Sequence, residues 1–442
     1  MSLVADPAAD RDGRVPADPD EVPVTRTLRP EVDPFYTAPT PLEGCAPGTV
    51  LRARRVRLAL FGRIPQRVQA WQLLYRTADL DGVPEAAVTT VLLPWDADPT
   101  VARPLVSYQC AIDAVAPKCL PSYALRFGAR ALGCIPQFEI LLIGEAVTRG
   151  WAVSIPDHVG TAGRFGVPRE PGYRILDGLR AAMSFEPLGL DPGAPIGLWG
   201  YSGGGLATSW AAELAADYAP ELRIVGGFAG SPVGDPTQSV THLNRWLSGV
   251  ASSGLVALCL AGLRRAYPDL DGMRSRFSAG FLDLLAYTEI APTIQIVLRG
   301  AGIRLSDDGV GLAELMTYPE VRAALAEVRP GDQAPGVPMF IVQAVNDFIV
   351  PVHAIDEHVA RYRAAGTGVR YVRDRLSGHI SLAVIVAPHV SDWLADRFAN
   401  PDPPHPDTTR TVWSMALSRR GVAGHLRQAL LVGRLFTGRP LG

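Results

Sequence analysis

The chain has 442 residues, of which 48% are hydrophobic and 19% charged, and its formal net charge is −2 at pH 7. This composition is typical of a globular protein and excludes an intrinsically disordered chain. Because the charge implies no broad basic surface, we predict no nucleic-acid partner. No apolar segment reaches the length of a membrane span, whereas the chain is long enough for a large core with an inserted subdomain.

Residues 1–33 are rich in Asp, Pro, Ala and Arg and lack the apolar core of a secretory signal. We therefore predict a flexible N-terminal lead-in over 1–33. Its composition leaves two interpretations of localisation open. Either the protein stays in the cytoplasm, which is the default expectation, or an export segment is missing from this sequence.

The five cysteines are odd in number, so at least one thiol has no intramolecular partner. None of them forms a Cys-x-x-Cys pattern, and we predict no metal site. Buried, unpaired thiols are the favoured interpretation. The alternative is one disulfide among Cys110, Cys119, Cys134 and Cys259.

Strand-like and helix-like patterns alternate through the first half of the chain. Such alternation predicts a mostly parallel sheet with helices on both faces, an α/β fold whose first part spans 34–235. The predicted strands are 68–76, 86–93, 103–108, 151–155, 196–199 and 224–228, and the predicted helices are 121–127, 137–149, 172–183 and 206–216.

The alternation stops at about residue 236, and a helical block follows. A connection this long is unusual between two core strands, so we predict an inserted helical cap, or lid, domain over 236–335. The alternative is a set of crossover helices packed on the sheet. The second part of the core is predicted over 336–399. The predicted helices of the block are 243–251, 254–267, 273–285, 294–301 and 319–328, and the core then continues with strands at 339–344 and 369–373 and helices at 353–364 and 381–398.

The motif Gly200-Tyr201-Ser202-Gly203-Gly204 lies between a predicted strand and a predicted helix. A nucleophile elbow needs this context, because the serine must sit on a tight strand-to-helix turn. Gly200 and Gly204 would remove side chains where the strand and helix backbones approach each other. A Gly-rich turn that merely links strand to helix is the alternative.

Two further residues complete a candidate catalytic set. Asp347 follows the predicted strand 339–344, and His379 lies on a Gly-flanked loop after the last predicted core strand. The chain order Ser202, Asp347, His379 is that of the α/β-hydrolases. The competing bases are His158, His353 and His358, and the competing acids are Asp235 and Asp374.

Several segments together resemble the secretory lipase family of α/β-hydrolases, typified by the Candida lipases and their actinobacterial relatives. The resemblance extends from about residue 33 to residue 398. It implies esterase or lipase activity on acyl esters, a helical lid, no cofactor, and Ser202, Asp347 and His379 as the triad. The main segments are Asp33-Pro34-Phe35-Tyr36, Ser107-Tyr108-Gln109-Cys110-Ala111-Ile112-Asp113, Pro156-Asp157-His158-Val159-Gly160, the Ser202 motif, Asn346-Asp347 and Gly378-His379.

An oxyanion hole is expected to use the backbone N–H of Gly203, which directly follows the nucleophile. In the family that the chain resembles, the loop after the strand at 103–108 carries an acidic residue, which corresponds to Asp113 here. A carboxylate would repel the oxyanion, so Asp113 is expected to act through its backbone N–H or through a protonated side chain. The alternative role for Asp113 is a cap on the next turn.

The tail at 400–442 goes beyond the resemblance and is predicted to be a basic, amphipathic extension. Its leucines fall on one helical face, and its arginines outnumber its acids. Contact with a lipid interface, through this tail and the cap, is one interpretation. Docking on the core and contact with a protein partner are the others.

These observations predict a serine hydrolase, a lipase or carboxylesterase, that cleaves hydrophobic carboxylic esters such as acylglycerols through an acyl-enzyme on Ser202. An acyltransferase or peptidase with the same triad is the alternative. A catalytically silent binding protein is a third hypothesis, and loss of a triad residue would be its hallmark. No triad residue is lost, and the sequence predicts no oligomeric state.

Overall fold

A ten-stranded, mostly parallel β-sheet forms the centre of the described chain. The computed structural model describes residues 27–246, 252–303, 311–401 and 406–442. The sheet has the order β1-β4-β5-β7-β6-β8-β9-β10-β11-β12, and β2 and β3 form a separate hairpin. The strands are β1 Val50–Arg55, β2 Ala59–Leu60, β3 Ile64–Pro65, β4 Gln69–Ala78, β5 Pro84–Leu93, β6 Leu105–Gln109, β7 Ala152–Pro156, β8 Ile196–Tyr201, β9 Ile224–Gly230, β10 Met339–Ala344, β11 Val369–Asp374 and β12 Thr408–Val412.

The strands from β7 across to β12 run parallel, whereas β1, β4 and β5 pair in antiparallel fashion. Every residue of β8 and β10 is buried. Strands buried on both faces are continuous apolar runs, which is why the sequence predicts them well. The carboxyl ends of the parallel strands meet at one edge, where loops can bring together residues that are distant in the chain.

Helices cover both faces of this sheet. On one face α2, α12 and α13 share an apolar core with β6, β8 and β10, and on the other α3, α4 and α11 do so. The predicted α/β fold with a mostly parallel sheet is confirmed. The helices are α1 Pro121–Ala124, α2 Pro136–Thr148, α3 Glu170–Ser184, α4 Gly203–Tyr218, α5 Pro236–Trp246, α6 Ser252–Leu263, α7 Ala279–Thr288, α8 Thr293–Gly300, α9 Leu312–Leu315, α10 Pro319–Val328, α11 Val352–Ala364, α12 His379–Ala399 and α13 Arg419–Thr437.

The helices α5 to α10 lie between β9 and β10 and have a core of their own. Phe281, Leu284 and Ile296 are completely buried there, and this core continues onto Leu206 and Trp210 of α4. The block therefore packs on the helix that follows Ser202. Its division from the core at 235/236 and 335/336, and its role as a lid, stay predictions.

Several element boundaries differ from the prediction. The predicted helix 121–127 is only the short α1, and the predicted helix 273–285 is a 3-10 segment, Pro268–Arg276, followed by α7. The α7 helix begins where the Ser278 side chain accepts the amide of Phe281. The predicted helix 243–251 extends beyond α5 into residues 247–251, which lie outside the described ranges.

Two edge strands were missed, and one of them belongs to the predicted tail. The β12 strand pairs with β11, and α13 packs on α2 and α12. Edge strands are hard to predict because they need no apolar alternation; β1 contains three arginines, and β12 is largely exposed. The tail therefore docks on the core, which was one of the three interpretations of this segment.

The described cysteines are all free thiols, so the alternative of a disulfide is wrong for this structure. The Sγ atoms of Cys119 and Cys134 nevertheless lie 2.9 Å apart in the core.

Of the predicted lead-in, residues 1–26 lie outside the described ranges. Among the helices that the structure describes, none has the length and apolarity needed to cross a bilayer.

Candidate active site

Ser202 lies at the sharp turn between β8 and α4. Its backbone has φ 53° and ψ −121°, and its amide donates to the carbonyl of Gly230 at 2.8 Å. A positive φ is strained for a residue with a side chain and is typical of a nucleophile held at a tight turn. The turn places Ser202 directly before the N-terminus of α4.

The glycines on either side of Ser202 allow this turn to form. A Cβ at Gly200 would lie 2.1 Å from the carbonyl oxygen of Gly204, and one at Gly204 would lie 2.0 Å from that of Gln109. Neither neighbour is a flexible side chain that can move away. The expectation that these glycines permit close approach of the strand and helix backbones is confirmed.

His379 reaches Ser202 from the N-terminus of α12. Its Nε2 atom lies 2.8 Å from Ser202 Oγ. His379 is the first residue of α12, so the prediction that it lies on a loop is wrong. The helix starts early because the amide of Gly378 donates to the side chain of Ser381 at 3.0 Å. The hydroxyl of Tyr201 donates to the His379 carbonyl at 2.5 Å and fixes its backbone.

Asp347 lies in the loop after β10 and completes the chain of contacts. His379 Nδ1 donates to Asp347 Oδ2 at 2.7 Å, and the amides of Ile349 and Val350 both donate to Oδ1 at 2.9 Å. Burial alone would raise the pKa of Asp347, but the His379 ring and these hydrogen bonds hold it below its ordinary value. Asp347 therefore remains a carboxylate and orients the imidazole.

The competing residues are placed elsewhere. His353 is exposed on α11, His358 is buried on the same helix, and the ring of His158 contacts the Cys110 carbonyl at 2.8 Å. Both competing acids accept backbone amides: Asp235 accepts from Gln238 at 2.9 Å, and Asp374 accepts from Leu376, Ser377 and Met415. These contacts give His158, Asp235 and Asp374 structural roles.

Asp113 and Gly203 lie side by side, as expected for two parts of an oxyanion hole. A Cβ built on Gly203 would lie 2.1 Å from Asp113 Oδ1, so a larger residue at 203 would force this carboxyl group to move. Asp113 has φ 41°, and its carbonyl accepts the Thr293 hydroxyl of α8 at 2.8 Å. Burial raises the pKa of Asp113 to about 6, although the charge of His379 opposes the shift.

Glu139 of α2 supports the loop that carries Asp113, and sequence reasoning missed it. Its carboxyl group accepts the amide of Ala111 at 3.0 Å and the hydroxyl of Tyr108 at 3.1 Å. Burial raises the pKa of Glu139 to about 8, the hydrogen bonds notwithstanding, and the charge of Asp113 adds to the increase. The sequence feature that could have indicated Glu139 is an acidic residue within the apolar run of α2.

Three polar residues around Asp347 were also missed. Gln343 Nε2 donates to Asp347 Oδ2 at 3.1 Å, and Ser231 Oγ lies 3.3 Å from the same oxygen. The ring of His242 on α5 lies 2.9 Å from the Asp347 carbonyl and links the helical block to this loop. Of these three residues, Gln343 could have been noticed in the sequence, because it is polar within an otherwise apolar strand.

This arrangement can make a serine hydroxyl nucleophilic. A neutral imidazole accepts the hydroxyl proton, and the carboxylate behind it stabilises the imidazolium that results. In the ranges that the structure covers, no group of three or more His, Cys, Asp or Glu side chains is placed to hold a metal ion.

Comparison with known proteins identifies the relatives of the chain. A family model described as secretory lipase matches residues 125–405. The chain is 46% identical to "Probable inactive lipase MT1628" of Mycobacterium tuberculosis, over 94% of this chain and 93% of that protein. It is 34% identical to "Lipase A" of Arthroderma benhamiae, over 94% of this chain and 89% of that protein.

The fold has a close counterpart among solved structures. The closed-state X-ray structure of Candida antarctica lipase A matches with a TM-score of 0.79 and 27% identity, covering 95% of this chain and 99% of that chain. The family model, the curated relatives and this structure agree with one another and with the resemblance seen in the sequence. The chain belongs to the secretory lipase family, and its relatives carry the names of lipases, one of them a probable inactive lipase.

Proposed function

We propose that the protein is an active serine hydrolase that cleaves hydrophobic carboxylic esters, and acylglycerols in particular. The observation that carries this proposal is the unbroken chain of contacts from Ser202 through His379 to Asp347, at 2.8 and 2.7 Å. Both distances fall within the range of good hydrogen bonds. The lipase names of the relatives support the substrate class.

In this mechanism Ser202 Oγ attacks the ester carbonyl while His379 Nε2 takes its proton. His379 then gives that proton to the departing alcohol as the C–O bond breaks, which leaves an acyl group on Ser202. Water, deprotonated by His379, attacks the acyl-enzyme, and His379 returns that proton to Ser202 Oγ as the carboxylic acid is released. Asp347 stabilises the imidazolium in both halves of the reaction.

The oxyanion of each tetrahedral intermediate receives two kinds of stabilisation. The amide of Gly203 points to it from the N-terminus of α4, where the helix dipole adds partial positive charge. Asp113 supplies a second donor, either its amide or its protonated carboxyl group. With a pKa of about 6, that carboxyl group is neutral in weakly acidic solution and charged above it.

We propose that the helical block over 236–335 acts as the lid of this site. Its helix α8 is hydrogen-bonded to the loop that carries Asp113, because the Thr293 hydroxyl donates to the Asp113 carbonyl. The same region exposes large apolar side chains, namely Ile294 and Leu298 one turn apart on α8 and Ile290 in the turn before it. An exposed apolar row beside an ester-cleaving site favours contact with aggregated, water-insoluble substrate.

A silent, ester-binding protein is the second candidate, because one relative is named a probable inactive lipase. A fluorophosphonate probe separates the two candidates, since it reacts only with an activated serine. We expect one equivalent of label on Ser202 and hydrolysis of p-nitrophenyl esters, and neither in Ser202→Ala or His379→Ala. The exposed His353→Ala is the matched control and should label like wild type.

Labelling without hydrolysis would assign the protein to acyl transfer, which added alcohol acceptors would reveal. Absence of labelling in the folded wild-type protein would establish the silent candidate. Peptide amides assayed beside the esters would reveal a peptidase. A profile of ester chain lengths with the purified protein then defines the substrate.

A further inference from the structure

The helix α13 has two faces of different character. Its inner face packs tightly on the core: Gly424 lies against Pro388 of α12, where a Cβ would approach to 2.1 Å, and Leu431 lies against Gly144 of α2. Leu431 and Leu435 are each only 3% exposed. The inner face therefore fixes the helix to the protein, and its outer face needs a separate explanation.

The outer face of α13 presents large apolar side chains to solvent. Val422, Leu426 and Leu430 recur every four residues and are 54%, 66% and 72% exposed. Just before the helix, Leu417 is 71% and Trp413 is 65% exposed. A row of this kind on a helix already fixed to the core is typical of a binding surface, whereas exposed leucines scattered singly are not.

The segment that carries this face has charges of one sign, although Arg427 lies 3.4 Å from Asp392 of α12. Residues 408–442 contain six arginines and no aspartate, glutamate or lysine, although acids outnumber bases in the chain as a whole. Arg419 and Arg420 open α13, Arg427 and Arg434 follow on its exposed flank, and Arg439 comes just after its end. An apolar row flanked by cations complements a surface that is anionic outside and apolar beneath.

The start of α13 also belongs to a group of arginines that repel one another. Burial lowers the pKa of Arg370, and the charges of Arg410 and Arg420 lower it further. Asp396 is the acid whose charge acts against them. Concentrated positive charge of this kind is stabilised when an anion binds beside it.

We propose that the outer face of α13, together with the segment just before the helix, docks on an anionic lipid surface. This docking face consists of Val422, Leu426 and Leu430 on α13 and of Trp413 and Leu417 before it. A second copy of the chain fits this face poorly, because a two-fold interface would place one set of arginines against its equivalent. Phosphate-bearing lipid headgroups satisfy the arginines, and the acyl region below accepts the leucines. This docking is separate from ester cleavage and goes beyond it.

The helix α12, on which α13 packs, also carries His379. The side chain of Gln428 on α13 donates to the carbonyl of Val384 on α12 at 3.1 Å. Val384 and Ile380, one helical turn apart on α12, are 42% and 71% exposed, and Ile380 directly follows His379. Two exposed apolar side chains of α12 therefore lie between His379 and the part of α12 that contacts α13.

Vesicle co-sedimentation of the full chain tests the proposal without any turnover. The probes are vesicles of phosphatidylcholine alone and vesicles containing 30% phosphatidylglycerol, a composition of about one-third anionic lipid. We expect binding to the anionic vesicles that weakens with salt. Leu426→Ser/Leu430→Ser should lower the partition coefficient about tenfold or more, and Arg420→Gln/Arg434→Gln should lower it severalfold on anionic vesicles only.

The matched control is Val101→Ser/Arg223→Gln, which removes an exposed apolar group and a cation near the amino ends of β6 and β9, outside the proposed docking face. It should bind like wild type. Equal binding by the control and the α13 variants would overturn the proposal, as would binding that ignores lipid charge. A wild-type dimer that Leu426→Ser/Leu430→Ser converts to monomer would overturn it in favour of a second copy. Soluble-ester activity, measured in parallel, reports separately on the proposed hydrolase.

Discussion

The hydroxyl of Tyr201 donates a hydrogen bond to the backbone carbonyl of His379, so the residue before the candidate nucleophile holds the candidate base. Ser231 Oγ lies 3.0 Å from the same hydroxyl and 3.3 Å from Asp347 Oδ2. Because Tyr201 gives its one proton to His379, Ser231 donates its own single proton to either Tyr201 or Asp347. The three segments that carry the candidate triad are thus joined by a second set of contacts.

Tyr201→Phe is expected to lower kcat about tenfold to a hundredfold with KM nearly unchanged, because the imidazole would lose part of its fixed position. Soluble-ester kinetics measure both parameters. Tyr362→Phe is the matched control, since it removes another buried hydroxyl, one bonded to Glu213 at 2.6 Å and not to the site. An unchanged kcat in Tyr201→Phe would show that His379 is positioned without this bond.

Asp113→Asn is expected to change the pH dependence of hydrolysis. The pKa of Asp113 is about 6, so the wild-type carboxyl group becomes a negative charge beside the oxyanion as the pH rises through that value. Asparagine keeps a donor and never ionises. The ratio of kcat/KM in Asp113→Asn to that in wild type should therefore rise from pH 5 to pH 8. A constant ratio would place this carboxyl group away from the oxyanion.

Glu139→Gln is expected to make protein stability less dependent on pH. The pKa of Glu139 is raised from 4.5 to about 8, so between these values the folded state holds a proton that the unfolded chain releases. The free energy of unfolding then falls as pH rises, by about 1.4 kcal/mol per pH unit from this group. Urea unfolding from pH 5 to pH 8 should show a correspondingly smaller slope in Glu139→Gln.

The control for this slope is Glu221→Gln. Glu221 is exposed, and its hydrogen bond to Arg180 holds its pKa below the ordinary value, so it stays ionised throughout the window. Its removal should leave the slope of the wild type. Equal slopes for Glu139→Gln and wild type would show that Glu139 ionises normally in the folded protein.

Ile290→Ser/Leu298→Ser tests the exposed row of the helical block. Activity on emulsified triacylglycerol should fall about threefold or more, because less apolar surface is available for contact with the droplet. Activity on a soluble short-chain ester should stay the same. Val83→Ser, in the turn between β4 and β5, removes an equally exposed apolar side chain elsewhere. Equal losses on both substrates would assign the row to folding and not to substrate contact.

The parts of the fold that the sequence predicts are those buried on both sides. The predicted strand 339–344 coincides with β10, and 369–373 is one residue short of β11. Continuous apolar runs between turn residues identify such strands without help from the rest of the chain. The strands β1 and β12 lie at the two edges of the sheet, where one side of the backbone has no strand partner among the described residues and arginines are tolerated.

The residues of the candidate site also fall into those that the sequence predicts and those that it does not. A motif and a chain order suffice to select Ser202, Asp347 and His379, because their side chains must follow particular strands. Ser231 and Glu139 escape such reasoning. Ser231 contacts Asp347, which lies 116 residues away in the chain, and Glu139 on α2 accepts the amide of Ala111, which follows β6. These contacts exist only in the folded chain. The local sequence pattern does not indicate such contacts between distant residues.

The segment that follows α13 also reaches back to the first half of the chain. The amide of Leu441 donates to the carbonyl of Arg67, and the amide of Trp95 donates to the carbonyl of Leu441, each at 2.9 Å. Residue 441 is therefore bonded to the backbone that flanks β4 and β5, which is synthesised much earlier. The apolar surfaces of α2 and α12 beneath α13 stay uncovered until α13 has been synthesised, so the nascent chain needs protection from aggregation until then.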